Sequence, residues 1–299
     1  SGIEGGEITG NSCEGSSGSW AIEMSSCNDC LFEANTVNYP SGHGIKSNSS
    51  SGTTIEDNTI NIGGYGMEAA SGDSLEITNN AITGFNSYGI RFESTSNTSI
   101  HSNSLVSTPN NDSNNYGIYN SSSSYGNTVY NNNIHILNSG NTVEGIRVSN
   151  IDLHDNTVII ENGGSNNFGI VGENNIIFNN NITLNASNSN SYAIYNSASS
   201  TSREIYGNEI EISGVASGIK GNQLHIYDND ITGSGTYSID ITGNMENTLI
   251  ENNTVSGRIR ISNNAVLDMH HNLVTSAYGG LEIYDMAVGH FYNNTFTGN

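Results

Sequence analysis

Short apolar motifs recur at a regular spacing along the whole chain. The pattern Φ-x-x-N-x-Φ, in which Φ is apolar, appears for example as IEDNTI, VYNNNI and IENNTV. Its asparagines are Asn35, Asn58, Asn80, Asn103, Asn132, Asn156, Asn180, Asn208, Asn229, Asn253, Asn272 and Asn294. Most successive asparagines are 21 to 24 residues apart, and a fixed period of that length indicates a repeat architecture.

A second signal, Gly-Ile or a close variant, lies between these motifs and begins at positions such as 44, 89, 117, 145, 169 and 218. Each repeat is therefore predicted to contain a short alternating strand, a polar turn, a second strand, an asparagine bend and a third strand. Units this short bury no core alone, so they must stack. Because no 3.6-residue periodicity appears, the sequence predicts an all-β solenoid of about 12–13 coils, each adding one strand spacing of ~4.8 Å.

The repeated asparagine predicts a ladder along the solenoid. Asn tolerates unusual backbone dihedrals at a bend between two strands, so we expect the ladder asparagines themselves to occupy that bend conformation. The side-chain amide both donates and accepts hydrogen bonds. Each asparagine can therefore bond its equivalents in the coils above and below.

The alternation of Gly-Ile with Asn-x-Ile resembles the parallel β-helix repeats of the pectin-lyase-like superfamily. The resemblance covers nearly the whole chain and implies a right-handed, single-stranded parallel β-helix. It implies little about activity, because that superfamily includes lyases, hydrolases, phage tailspikes, adhesins and cell-surface repeat proteins. We expect one domain over residues 1–299, with cysteine-containing coils at 1–40 and regular coils at 41–299.

The stretch SGHGIK at 41–46 contains the His-Gly dipeptide of polygalacturonases. Those enzymes also need an Asn-Thr-Asp segment and an Asp-Asp pair, because one carboxyl group protonates the leaving oxygen while another activates water. Neither segment occurs in this sequence. Since Gly44 and Ile45 fill the repeat slot, we interpret His43 as a turn residue and predict no catalytic residue.

The residue that follows Gly-Ile points outward if the isoleucine points inward. Its charge alternates in sign along two series, Glu23, Lys46, Glu68, Arg91 and Lys220, Asp240, Arg260, Glu282. Opposite charges on neighbouring strands stabilise a sheet by ~0.2–1 kcal/mol per pair. We therefore interpret these residues as salt-bridge ladders, and not as the basic residue that pectate lyases combine with Ca²⁺.

Another outward column, next to the first apolar residue of the asparagine motif, carries a ring in six consecutive coils. These rings are His101, Tyr130, His154, Phe178, Tyr206 and Tyr227. Two interpretations stay open: the rings stack on each other, at ~0.5–1.5 kcal/mol per pair, or they form a contact surface for a glycan or a neighbouring subunit. If a ligand binds anywhere, this stripe is the first candidate.

The charge of the chain limits its partners. Asp and Glu number 29 against 7 Lys and Arg, a formal net charge of −22. Nucleic acid and anionic membrane surfaces repel so acidic a protein, and so do pectate and alginate unless Ca²⁺ bridges the two. No apolar run is long enough to cross a bilayer. Ca²⁺ is conceivable among the turn Asp and Asn residues, but no ligand set can be identified, and we predict no other cofactor.

Three cysteines, Cys13, Cys27 and Cys30, lie in the first tenth of the chain. No nearby histidine completes a zinc site, so we predict one disulfide and one odd thiol in an extracellular protein, with the pairing open. Asn-x-Ser/Thr acceptors in predicted turns suit a glycosylated surface protein. They include Asn48, Asn97, Asn111, Asn120 and Asn185.

We expect a secreted structural or adhesive β-helix of a cell surface, an extracellular matrix or a filament. Most coils are lean, and the sequence predicts no capping helix at either end. Either the chain is part of a longer protein, or copies assemble end to end or laterally. The alternative is a carbohydrate-binding or carbohydrate-active β-helix that uses the aromatic stripe. A cleft with clustered Asp, Arg or Lys on one face favours the alternative, and a uniform surface favours the structural role.

Overall fold

The computed structural model describes residues 3–16, 18–109, 114–120, 125–137, 140–163, 165–173, 175–197, 203–243, 247–285 and 287–298. Across these ranges all regular structure is β, every strand pair is parallel, and no helix forms. Accordingly, the described residues contain no helix that is long and apolar enough to cross a membrane. The predicted all-β parallel solenoid is confirmed.

Three long sheets run side by side along the solenoid, and each coil contributes one strand to each sheet in turn, except that the last described coil adds none to the third sheet. Sheet 1 consists of Glu7–Thr9, Leu31–Glu33, Thr54–Glu56, Glu76–Thr78, Ser99–His101, Thr128–Tyr130, Asp152–His154, Ile176–Phe178, Arg203–Tyr206, Leu224–Tyr227, Asn247–Glu251, Val266–His270 and Val288–Tyr292. Sheet 2 consists of Ser12–Glu14, Thr36–Tyr39, Thr59–Ile62, Ala81–Phe85, Ser104–Ser107, Asn133–Ile136, Thr157–Gly163, Asn181–Ala186, Glu209–Gly214, Asp230–Gly233, Thr254–Val255, Leu273–Thr275 and Thr295–Thr297.

Sheet 3 contains the Gly-Ile motifs and closes each coil. Its strands are Trp20–Ser25, His43–Asn48, Met67–Ala70, Tyr88–Glu93, Asn115–Tyr119, Thr142–Arg147, Asn166–Glu173, Tyr192–Ser197, Ser217–Asn222, Ile239–Thr242, Ile259–Ser262 and Leu281–Ile283. A short fourth pairing joins Ile3–Glu4 to Cys27–Asn28. With 13, 13 and 12 strands in the three sheets, the predicted number of coils is also confirmed.

The core is a column of stacked aliphatic side chains inside the three sheets. Because strand registers match from coil to coil, equivalent residues lie directly above one another, as Ile77, Ile100 and Val129 do in sheet 1. All three are fully buried. Stacking therefore provides the apolar burial that no single coil could provide.

The asparagine ladder forms as predicted and is continuous from Asn11 to Asn294. At a typical rung, the backbone N–H and side-chain Nδ2 of Asn132 both donate to Oδ1 of Asn156, at 3.1 and 3.0 Å. Nδ2 also donates to the carbonyls of Ile100 and Tyr130, each at 2.9 Å. The ladder thus satisfies buried backbone carbonyls at the bend in every coil.

The backbone at this bend differs from our expectation in one respect. The left-handed conformation falls on the residue before each ladder asparagine, for example Asn131 at φ 53° and Asp155 at φ 55°, and not on the asparagine itself. This assignment follows from the hydrogen bonds, because the ladder asparagine needs a fixed inward side chain while its neighbour makes the turn. Asn, Asp and Ser tolerate that region and fill most of these positions.

The glycine of the Gly-Ile motif is required by the close approach of adjacent coils. A Cβ atom at Gly145 would lie 2.5 Å from the carbonyl oxygen of Gly169 and 2.3 Å from Cγ1 of Val158. Larger side chains in this slot would therefore push the coils apart.

Among the other predicted features, Cys27 and Cys30 form a disulfide and Cys13 is a free thiol. Of the glycosylation acceptors, Asn111 lies outside the described residues. Asn185 lies in a strand of sheet 2 and not in a turn, and Asn120 is buried.

Candidate functional site

The aromatic stripe on the outer face of sheet 1 is a continuous stack of rings. Consecutive ring centroids are 4.6, 5.1, 4.7, 5.0 and 4.7 Å apart from His101 to Tyr227, with interplanar angles of 3–14°. The inner rings of this stack therefore contact another ring on both faces and present their edges to solvent. Burial, with Glu204 nearby, raises the pKa of Tyr227 to about 12, so its hydroxyl stays neutral.

This geometry favours the structural interpretation of the stripe. A ligand that packs on an aromatic face needs that face to be accessible, and in this stack the faces are occupied. The predicted contact role of these six residues stays a prediction.

The alternating charges on sheet 3 lie in adjacent coils, as the sequence predicts. Glu68 accepts ion pairs from Lys46 at 3.0 Å and from Arg91 at 3.4 Å. Asp240 lies 2.6 Å from Arg260 and 4.0 Å from Lys220. The outer members differ from the predicted order: Glu282 pairs with Arg258 instead of Arg260, and Glu23 has no ion pair among the described residues.

Positive charge is concentrated on one face of the molecule. The chain has 7 Lys and Arg residues, and all of them except Arg203 lie in the strands of sheet 3 or directly beside them. Each of these six cations pairs with an acidic side chain on the outer face of the sheet. They are Lys46, Arg91, Arg147, Lys220, Arg258 and Arg260. The surface is thus far from uniform, despite the strongly acidic total.

Sequence reasoning missed a second aromatic column, which runs beside these cations. It consists of the residue before each Gly-Ile: Trp20, His43, Tyr65, Tyr88, Tyr116, Phe168, Tyr192 and Tyr237. The signal was present in the sequence, since this position precedes the Gly-Ile motif by one residue in each of these coils.

His43 belongs to this column, which corrects our interpretation of it as a turn residue. It is the first residue of the strand His43–Asn48, and its ring lies between Trp20 and Tyr65, at 4.9 and 4.7 Å. Its Nδ1 accepts a hydrogen bond from the backbone N–H of Tyr65 at 3.0 Å. Burial lowers the pKa of His43, so it is a neutral, packed ring.

Two groups of three rings lie in the middle of sheet 3. Tyr88, Tyr116 and Tyr119 form the first, with ring centroids 4.8–5.1 Å apart. Phe168, Tyr192 and Tyr195 form the second, 5.9–6.1 Å apart. In each group two of the three contacts are tilted, whereas the contacts of the sheet 1 stack are nearly parallel. Tyr116 and Tyr192 are buried, and the other four rings are half-buried.

The coil between these groups replaces the ring with a carboxyl group. Glu144 aligns with Tyr116 on one side and Phe168 on the other, and its Oε1 accepts a hydrogen bond from Nη1 of Arg147 at 2.6 Å. Its Oε2 is buried without a partner in the described structure. We call the two ring groups together with Glu144 and Arg147 the central tract.

The environment of Glu144 changes its acidity. The side chain is only 1 % exposed, and burial raises its pKa from 4.5 to about 7 against the opposing influence of Arg147. Removal of a carboxylate from water costs more here than one guanidinium hydrogen bond returns. The central tract therefore contains an ionisable group that titrates near neutral pH.

Cationic side chains lie at both ends of the central tract. The guanidinium of Arg91 lies 5.5 Å from the ring of Tyr88, and Nζ of Lys220 lies 4.6 Å from the ring of Tyr192 and donates to its hydroxyl at 2.8 Å. The tract thus combines rings, cations and one carboxyl group along about six coils, or roughly 24 Å at the usual strand spacing.

The fold and this face define a parallel β-helix protein with an aromatic and charged strip on one sheet. A family model described as periplasmic copper-binding protein (NosD) matches residues 2–145, slightly less than half of the chain. No curated protein sequence is significantly similar to the chain.

Several solved structures have a similar backbone fold. A mutant of the periplasmic alginate epimerase AlgG aligns with 14% identity and a TM-score of 0.60, over 92% of this chain and 73% of that one. A Pseudomonas phage phi297 tailspike aligns with 12% identity and a TM-score of 0.49, over 85% of this chain and 48% of that one. At this identity the epimerase comparison shows the fold alone, and it confirms the resemblance to pectin-lyase-like β-helices.

Copper binding, which the description of the NosD family suggests, has no matching ligand set in the described part of the chain. Within the described residues, no group of three or more His, Cys, Asp or Glu side chains could hold a metal ion. The side chains of the central tract are mostly rings, with one carboxylate and one guanidinium, and these are poor ligands for copper.

Proposed function

We propose that this protein is an extracytoplasmic β-helix protein that binds carbohydrate chains along the central tract of sheet 3. One observation carries the proposal: two groups of tilted rings, with cations at both ends, flank a single coil that bears a carboxyl group and a guanidinium. The periplasmic location named for the NosD family and for AlgG supports the extracytoplasmic assignment.

The chemistry of the tract suits a sugar chain. Aromatic side chains provide apolar contact surfaces, and a few polar groups beside them fix orientation through hydrogen bonds. Here Arg147 is 45 % exposed and lies between the two ring groups. Because coils follow one another along the solenoid, the tract is linear, which matches an extended chain better than a compact small molecule.

A matched pair of ring deletions tests the proposal. Phe168→Ala removes a ring from the central tract, and we expect affinity for the bound glycan to fall at least about tenfold, or ~1.4 kcal/mol. Phe178→Ala removes a ring from the sheet 1 stack, where ring centroids lie 4.7 and 5.0 Å away on either side. It should lower the free energy of unfolding by about 2 kcal/mol and leave glycan affinity unchanged.

A glycan library that contains neutral and acidic chains, followed by calorimetry with the best ligand, provides the measurement. Equal loss of affinity in both variants would contradict a site on sheet 3. Absence of binding to every glycan would contradict the function itself.

A structural or adhesive role is the second candidate. It is supported by the sheet 1 stack, whose rings contact one another and so stabilise the solenoid without a ligand. If no glycan binds and electron micrographs of the unreduced protein show ordered filaments, this second role replaces the first.

A further inference from the structure

The side chain of Arg147 has a single hydrogen-bond partner in the described part of the chain. Its Nη1 donates to Glu144 at 2.6 Å, and nearly half of the side chain is exposed. By contrast, Arg91 has two carboxylate partners, Glu68 and Glu93, at 3.4 and 2.7 Å. Arg147 is therefore a cation that depends on one carboxyl group for its neutralisation.

Among the residues that the structure describes, the groups that face Glu144 include no second cation. The preceding strand contributes Tyr116 and Tyr119, and the following strand contributes Phe168 and Val171. Arg147, on its own strand, is the charged group beside it.

Sheet 2, which packs behind this strand, does not add to these groups. It carries His135 and Glu161, whose Nε2 and Oε1 atoms lie 3.3 Å apart. Protonation of Glu144 therefore acts directly on Arg147 and on little else.

Protonation and ligand binding are consequently linked at this pair. Because burial raises the pKa of Glu144 to about 7, the carboxyl group is neutral in a large fraction of molecules at neutral pH. A neutral Glu144 no longer attracts the guanidinium, which is then available to a different anion. Arginine binds carboxylate and sulfate groups through paired hydrogen bonds.

We propose that Arg147 binds the anionic group of an acidic glycan and that Glu144 competes with that group under the control of a proton. The carboxylate or sulfate of the sugar chain takes the place of Glu144 beside the guanidinium, and Glu144 takes up a proton as it loses its partner. This inference rests on the proposed glycan function and adds the charge of the ligand and its dependence on pH.

The sign of the dependence follows from linkage. Above pH 7 the ionised Glu144 competes with the ligand, and below pH 7 it does not, so acidic glycans bind more tightly as pH falls. Between pH 6 and pH 8 the expected loss of affinity is about tenfold, because competition grows about tenfold per pH unit once the pH exceeds the pKa. Neutral glycans should show no such change.

Isothermal titration calorimetry of the wild-type protein tests this with three probes: an oligouronate, a sulfated oligosaccharide and a neutral oligosaccharide. Titrations from pH 5.5 to 8.5, each in two buffers of different ionisation enthalpy, report the number of protons taken up on binding. We expect uptake of a fraction of a proton near pH 7 with an acidic probe and none with the neutral probe. A preference between the two acidic probes identifies the anionic group.

Variants separate the roles of the two residues. Glu144→Gln should bind acidic probes with a pH-independent affinity and no proton uptake. Arg147→Ala should abolish the preference for acidic over neutral probes. Glu282→Gln, which alters a pair with Arg258 elsewhere on the same face, should keep the wild-type pH dependence.

Two results would overturn the inference, and they differ from each other. If acidic probes bind in a Phe168-dependent manner but without pH dependence or proton uptake in the wild-type protein, the control by Glu144 is wrong and the glycan site stands. If no probe binds at any pH, the proposed function fails and the inference fails with it.

Discussion

Two buried acidic side chains on the outer face of sheet 3, each paired with an arginine, differ in how completely they are hydrogen-bonded. Asp240 is fully buried and accepts two hydrogen bonds from Arg260, from Nε at 2.8 Å and Nη2 at 2.6 Å. Glu144 is equally buried but accepts one hydrogen bond from Arg147, and its second oxygen has no partner in the described structure. The first pair leaves neither carboxylate oxygen without a hydrogen-bond partner, whereas the second pair leaves one.

The difference lies in the number of compensating contacts. At Asp240, two guanidinium hydrogen bonds and a further cation, Lys220 at 4.0 Å, offset the loss of hydration that burial of the carboxyl group causes. These contacts also raise the pKa of Arg260. With one contact, the cost of burial dominates, and the pKa of Glu144 rises to about 7. Asp240 therefore serves the fold, whereas Glu144 is available for proton-linked binding.

The largest effect expected from this comparison concerns the two arginines. Arg260→Ala leaves the buried carboxyl group of Asp240 with only Lys220 beside it, 4.0 Å away, so the free energy of unfolding should fall by about 3–5 kcal/mol. Arg147→Ala should cost about 1 kcal/mol or less at pH 6, because Glu144 can become neutral. Urea unfolding of both variants at pH 6 measures the contrast, and similar losses would refute the distinction between the two pairs.

A somewhat smaller effect is expected from pH. The pKa of Glu144 is about 7 in the folded protein and 4.5 ordinarily, so its contribution to stability is fully present below pH 4.5 and is lost as pH rises through 7. Relative to Glu144→Gln, the wild-type protein should lose about 2–3 kcal/mol over that range, at ~1.4 kcal/mol per pKa unit. Parallel stability curves for the two proteins in urea unfolding from pH 4.5 to 8 would show that the carboxyl group titrates normally.

The smallest effect is expected for the charge ladder near the first coils. Lys46 pairs with Glu68 at 3.0 Å, but both side chains reach solvent and Arg91 also pairs with Glu68. Lys46→Ala should therefore lower the free energy of unfolding by only ~0.2–1 kcal/mol, and added salt should reduce the difference further. A loss as large as that of Arg260→Ala would mean that the exposed and buried pairs are equivalent.

The sequence predicted the fold closely, because the same spacing of apolar residues and asparagines recurs in nearly every coil. Asn132 and Asn156 bond each other as expected, since any inward asparagine at this period must meet its equivalent. The bend conformation was assigned to the wrong residue, because tolerance of unusual dihedrals does not reveal which of two neighbours, such as Asn131 and Asn132, makes the turn.

The candidate site was predicted less well. The sequence drew attention to the ring stripe that includes Phe178, whereas the structure draws it to the column that includes Phe168. Periodicity identifies columns of rings, but the tilt of each ring and the burial of its faces arise from packing with neighbouring strands. The replacement of a ring by Glu144 became informative only when its two neighbours and its burial were known.

The sequence by itself determined the solenoid, the ladder and the alternation of charges, because each depends on spacing along the chain. Only the tertiary structure decided where the charge lies. A net charge of −22 predicts repulsion of acidic polysaccharides, yet most cations lie on sheet 3, since each coil returns the Gly-Ile strand to the same face. The acidity of Glu144 also depends on the structure, because removal of a carboxyl group from water is a property of its surroundings and not of its position in the sequence.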